Sequence, residues 1–173
     1  RVNNTGAFMT ATPVELTYDS PSYDKYEDVK NKTIQERVLE WTEQLCESLA
    51  ENYKQYHVRT LKGNLSGNYP KYAQKQLDEL ENGTANLMKF RIQEGRKYYK
   101  IIQQNFETYN DLNEYRDGSV HSFVDKNTGE VYMAASWNKP AKHVRFDMRI
   151  IQERTLMHTP SFVTWAGGYL YLR

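Results

Sequence analysis

A β-hairpin is written into residues 119–135, and it dictates what the rest of the chain must supply. Two short runs, Ser119-Val120-His121-Ser122-Phe123-Val124 and Glu130-Val131-Tyr132-Met133-Ala134-Ala135, are rich in β-branched and aromatic residues. Between them, Asp125-Lys126-Asn127-Thr128-Gly129 collects turn formers, with Gly129 free to take positive φ. A lone hairpin is marginal in water. It needs more strands beside it and a helix over one face.

The sequence offers further strands. Arg96-Lys97-Tyr98-Tyr99-Lys100-Ile101-Ile102 follows Gly95 and predicts a strand near 97–102. Gly168-Tyr169-Leu170-Tyr171-Leu172 alternates tyrosine and leucine, which predicts a closing strand with one residue type inward. Residues 103–118 are polar and hold Asn105, Asn110, Asn113 and Gly118, so they read as a long connection. An antiparallel sheet of three to four strands is expected over 91–173.

Helices are expected before it, over 31–90. Thr33-Ile34-Gln35-Glu36 has the form of a capping box, in which the Thr hydroxyl accepts from the Glu36 N–H. Val38, Trp41, Leu45 and Leu49 then recur at helical spacing opposite Glu40, Glu43, Glu47 and Glu51, predicting a helix near 33–56. Cys46 sits at the edge of that stripe and reads as a small packed hydrophobe. Pro70 suits the first turn of a second helix, and Asn82-Gly83 suits its end, giving 70–82. The class is α+β, with N-terminal helices packed on a small antiparallel sheet. Residues 1–30 are irregular and polar. They read as an extended arm, either a plain tail or a segment whose Tyr18, Tyr23 and Tyr26 dock on a partner.

Composition removes several function classes. The net charge of +1 gives no general pull towards nucleic acid or membrane. One cysteine makes no intrachain disulfide. No apolar run approaches the roughly 20 residues that span a bilayer, and no leader pattern is evident. The chain begins at Arg1 rather than Met, as after trimming. Asn-x-Ser/Thr triplets stand at Asn3, Asn31, Asn64 and Asn82 and read as chance in an Asn-rich chain. No Walker loop, dinucleotide fingerprint, kinase signature or nucleophile elbow is present, and His57, His121, His143 and His158 lack metal-ligand spacing. The expectation is a non-enzymatic protein without a cofactor or metal.

Two segments stand out as candidate surfaces. Arg96, Lys97 and Lys100 interleave with Tyr98 and Tyr99, and Trp137-Asn138-Lys139-Pro140-Ala141-Lys142-His143-Val144-Arg145-Phe146 joins cations to aromatics. Arg96, Lys97, Tyr99, Lys100, Lys139, Lys142, His143 and Arg145 would grip a phosphate backbone and stack bases if they shared one face. On the plainer reading Trp137 and Phe146 fill core and the lysines are solvated.

The run from Gly95 to Arg145, closed by Ala166-Gly167-Gly168-Tyr169-Leu170-Tyr171, resembles a group of small uncharacterised proteins encoded by tailed bacteriophages. The likeness covers somewhat under half of the chain. It implies a phage accessory protein, in the virion or host cytoplasm, that binds a larger viral or host protein. The alternative is a nucleic-acid-binding protein using the basic, aromatic C-terminal half.

Overall fold

Ile34 opens a helix of 31 residues, α1 (Ile34–Asn64), one position after the expected cap at Thr33. The structure is a computed structural model that describes residues 32–172. The arm with Tyr18, Tyr23 and Tyr26 lies outside the described residues. After α1 come α2 (Pro70–Asn82), β1 (Lys89–Glu94), β2 (Tyr98–Glu107), β3 (Glu114–Asp125), β4 (Glu130–Ser136), β5 (Lys139–Pro140), β6 (Phe146–Asp147) and α3 (Ile151–Met157). The fold is α+β, as expected. The sheet is larger than expected: among the described residues it has six antiparallel strands in the order β1-β2-β3-β4-β5, with β6 also on β4.

Both expected helices form. α1 continues past the predicted stop near 56 because no glycine or proline interrupts it before Gly63, and Leu61 still finds burial. Leu61 and Ala73 are buried apart from the main core, where the two helices meet. α2 starts on Pro70 and ends at Gly83, whose φ of 73° lets its N–H reach the Leu80 carbonyl at 3.3 Å.

The hairpin forms with Phe123 opposite Tyr132 and Val124 opposite Val131. Its turn is closed by the Gly129 N–H on the Asp125 carbonyl at 2.9 Å and the Asn127 N–H on Asp125 Oδ1 at 2.8 Å. Gly129 has φ 74°, and a side chain there would meet Met148, Val38 and Trp41. The turn therefore lies against α1.

Three expectations need correcting. Of residues 103–118, only 108–113 are a connection, with a 3-10 turn at Tyr109–Asp111. The rest are the outer half of β2 and the start of β3, paired from Gln104 opposite Asp117 to Glu107 opposite Glu114. Their polarity misled because this ribbon is held by polar and aromatic pairs: Arg91 Nε donates to Asp117 at 2.8 Å, and Phe106 packs edge-on against Tyr115. The Arg91 and Gln104 hydrogen bonds hold the Asp117 carboxyl down at about 2. Lys89 and Phe90, at the end of the expected helical segment, open the edge strand β1, with Phe90 and Ile92 packed against the core. Residues 168–172 form no strand. Gly168–Leu170 is a 3-10 turn entered through Gly167 at φ 84°, and Leu170 is buried there. The short helix α3 was not expected at all.

The core lies between one face of the sheet and α1. Val38, Leu45, Cys46 and Leu49 meet Tyr99, Ile101, Val124 and Val131, and Met148, Met157, Val163 and Leu170 close the end. Asn52 on α1 fastens the C-terminal segment: its Nδ2 donates to the Pro160 carbonyl at 2.8 Å, and its Oδ1 accepts from the Trp165 N–H at 2.9 Å.

β3 inserts His121 as an extra residue between Val120, opposite Ile102, and Ser122, opposite Ile101. This bulge turns the imidazole towards the core, where it stacks on Tyr169 and meets Phe90 edge-on. The Thr164 carbonyl, 3.4 Å from Nε2, can only accept, so Nε2 carries the proton and Nδ1 accepts from the Ser122 hydroxyl at 3.0 Å. Burial lowers the His121 pKa from 6.5 to about 4. Its contribution to stability is complete above the unfolded value and is lost as the pH falls towards the folded one, a loss of about 3 kcal/mol in full. Burial lowers His57 and His158 in the same direction. Replacing His121 by Gln should therefore shrink the stability difference between pH 7 and pH 4.5, read by urea unfolding, by about 2–3 kcal/mol. An unchanged difference would place His121 in water.

Candidate functional site

The inward set of β2, Tyr99 and Ile101, sends Tyr98 and Lys100 to the other face of the sheet. There Lys100 stands opposite Gln93 on β1 and Phe123 on β3, and Phe123 stands opposite Tyr132 on β4. Tyr98 packs edge-on against both rings, with centroids 5.7 Å from Phe123 and 6.0 Å from Tyr132. The β4–β5 turn, Trp137-Asn138, completes the surround. Lys100 Nζ lies 5.2 Å from the Trp137 centroid, 5.7 Å from the Phe123 centroid and 3.4 Å from Asn138 Oδ1, to which it donates. Only 9 % of Lys100 is exposed, whereas Trp137 is 43 % exposed.

Two further cations stand at the mouth. The β1–β2 turn closes with the Gly95 N–H on the Tyr98 carbonyl at 2.8 Å and presents Arg96 and Lys97 to solvent. Lys97 Nζ is 5.2 Å from the Tyr98 ring centre. The hydrogen bond to Tyr98, and more weakly the charge of Asp125, raise the Lys97 pKa. Arg96, Lys97, Tyr98, Lys100, Phe123 and Asn138 line a cleft of about 170 Å³, with Gln93 and Gly95 completing its wall. Among the described residues, three cations and no carboxylate line it. A small anion is what this lining can hold.

A second nearly buried lysine on the same corner gives the contrast. Lys126 donates to Glu94 Oε1 at 2.5 Å and to the Gly95 carbonyl at 3.2 Å, and lies 5.4 Å from the Tyr99 ring. Lys126 thus ends on a carboxylate of its own chain. Among the described residues, Lys100 ends on an amide oxygen and two rings.

The expected phosphate-and-base surface does not assemble as one face. Tyr99 is 3 % exposed, with its hydroxyl on the Gln35 carbonyl at 3.3 Å, so its ring offers no stacking surface. It was misplaced because Tyr98 and Tyr99 are adjacent, and only one of two neighbours on a strand can face outward. Arg145 is also taken up internally. Its Nε donates to the Leu170 carbonyl at 2.6 Å, and its Nη1 to the Lys142 and His143 carbonyls. Lys139 is exposed beside Asn138. Lys142 and His143, the latter at φ 71°, are exposed in the loop between β5 and β6. So the structure gathers Arg96, Lys97 and Lys100 and leaves the rest elsewhere. Asn138, Phe123 and Gln93 went unnamed as site residues; cross-strand alternation around Lys100 is the signal that could have found them.

Cys46 offers no nucleophile. Burial, then the charges of Glu43 and Glu47, push its thiol up to about 12. Among the described residues, no group of three or more His, Cys, Asp or Glu side chains is placed to hold a metal ion, and no helix is long and apolar enough to cross a membrane.

A family of unknown function, DUF7717, matches residues 22–172. The chain belongs to DUF7717. The matched span takes in every helix and strand of the described residues and the whole cleft. No curated protein and no solved structure matches the chain.

Replacing Tyr99 by Ala should act on the fold and not on a surface. It should cost about 3–5 kcal/mol in urea unfolding, the range for emptying a large aromatic site in a core. Joint replacement of the exposed Arg96 and Lys97 by Ala should stay within about 0.5 kcal/mol of the parent. Equal effects of the two changes would contradict this placement.

Proposed function

We propose that this chain is a non-enzymatic binding protein, serving the phage accessory role that its C-terminal resemblance implies, in the virion or host cytoplasm. Its partner is a larger viral protein, and the contact runs through the corner formed by the β1–β2 and β4–β5 turns. The observation that carries this reading is the state of Lys100: a nearly buried lysine whose ammonium meets no carboxylate among the described residues, under a mouth framed by Arg96, Lys97 and half-exposed Trp137. Partly exposed aromatics beside arginine are the residue types that anchor protein interfaces.

The nucleic-acid reading has lost two of its parts. The ring expected to stack bases is in the core, and Arg145 is spent on backbone carbonyls. What remains is Arg96, Lys97, Lys139 and Lys142 on a chain of net charge +1.

The experiment is co-sedimentation of the protein with intact particles of the phage that encodes it. The parent should travel with the particles, and Arg96→Glu with Lys97→Glu should release it by about tenfold or more in affinity, a change worth about 1.4 kcal/mol. A parent that ignores particles, yet binds single-stranded oligonucleotides with a salt slope of about −0.7 per contacted phosphate, would replace this reading by the nucleic-acid one.

A further inference from the structure

We propose that the Lys100 cleft is a receptor for one carboxylate, carried on an acidic segment of the partner protein. This rests on the protein-binding reading above and gives that contact its chemistry. An ammonium taken out of water needs an anion or a full set of acceptors. Lys100 has three N–H donors and, among the described residues, one long hydrogen bond, to Asn138 Oδ1 at 3.4 Å. The Phe123 and Trp137 rings attract the charge but accept little hydrogen bonding. Lys126, on the same corner, shows the arrangement that satisfies such a group: the Glu94 carboxylate and the Gly95 carbonyl. Among the described residues, no carboxylate takes at Lys100 the place that Glu94 takes at Lys126.

Size and charge select the occupant. The cleft of about 170 Å³ falls below the roughly 300–1,000 Å³ of pockets that enclose drug-sized ligands. It admits a carboxylate on a short aliphatic stem. Arg96 at the mouth presents a planar fork that matches a second carboxylate two-pronged, and Lys97 adds a third positive charge. The exposed side of Trp137 can cover an apolar residue beside the acid. A peptide with neighbouring acidic side chains complements all of these groups.

The probe is a fluorescein-labelled hexaglutamate peptide, with hexaglutamine as control, read by fluorescence anisotropy on the full chain at low salt. Hexaglutamate should bind at least about tenfold more tightly than hexaglutamine, and Lys100→Met should remove that preference. Asn138→Asp gives a second variant that keeps the shape of the turn. It supplies Lys100 with a carboxylate from within, so it should close the site and weaken hexaglutamate by about tenfold while the chain stays folded. Binding by both variants equal to that of the parent would overturn the inference. So would inorganic phosphate or a thymidine oligonucleotide binding more tightly than hexaglutamate. The two readings fail separately. If the parent and Asn138→Asp co-sediment alike with particles while hexaglutamate is ignored, the carboxylate receptor is wrong and the particle contact stands. If hexaglutamate is held through Lys100 while particles are ignored, the receptor stands and the particle contact is wrong.

Discussion

The apolar stripe of α1 sits on one face of the sheet, and the placement of the described strand side chains depends on that seat. Val38, Leu45 and Leu49 are fully buried, as are Ile101, Val124 and Val131 on the strands beneath. Burying an aliphatic side chain of this kind contributes about 1.5–3 kcal/mol, so the contact resists any slip that would expose it. Strand side chains alternate, and a shift of one residue would exchange the two faces of β2. The demand that Tyr99 and Ile101 point inward is therefore also the demand that Lys100 point outward. The candidate site is a consequence of the core's register.

On the outer face the fold does something costly. It packs Tyr98, Phe123, Tyr132 and the Trp137-Asn138 turn around an ammonium and gives it an amide for a partner. Leucine or methionine would fill that space without the desolvation cost. The nearby Lys126–Glu94 pair shows that a carboxylate partner is attainable at this corner. A polar group kept at the expense of stability marks a place where local consistency gives way to use. That is the physical ground for assigning the cleft a ligand.

Much of the scaffold was legible in the sequence, for reasons that can be named. Pro70 and Gly83 bound α2 because one lacks an N–H and the other tolerates positive φ. Asp125–Gly129 closed a turn because its side chains and glycine match one. The errors have equally specific causes. Gln103, Gln104 and Asn105 looked like a connection because their ribbon carries polar and aromatic pairs where a stripe was sought. Tyr169 and Leu170 alternated like a strand, but Gly167 and Gly168 bend the chain into a turn. The start of β1 fell two residues inside the expected helical half, because no turn residue separates Lys89 and Phe90 from the rest of the strand. Of the site, the cations Arg96, Lys97 and Lys100 could be named early. Tyr99 and Arg145 could not be removed from the set without the register and the carbonyls around Arg145. Asn138 enters only through the fold, because nothing in its local sequence ties it to a lysine 38 positions earlier.

The measurement closest to the central claim is the equilibrium stability of Lys100→Met. If Lys100 is kept for a ligand, methionine should pack among the Phe123 and Trp137 rings in its place. No carboxylate among the described residues would lose a partner, so urea unfolding should show stability unchanged or raised by about 1–2 kcal/mol. A loss of about 2 kcal/mol or more would mean that the ammonium holds the two turns together, and that the cleft is part of the scaffold.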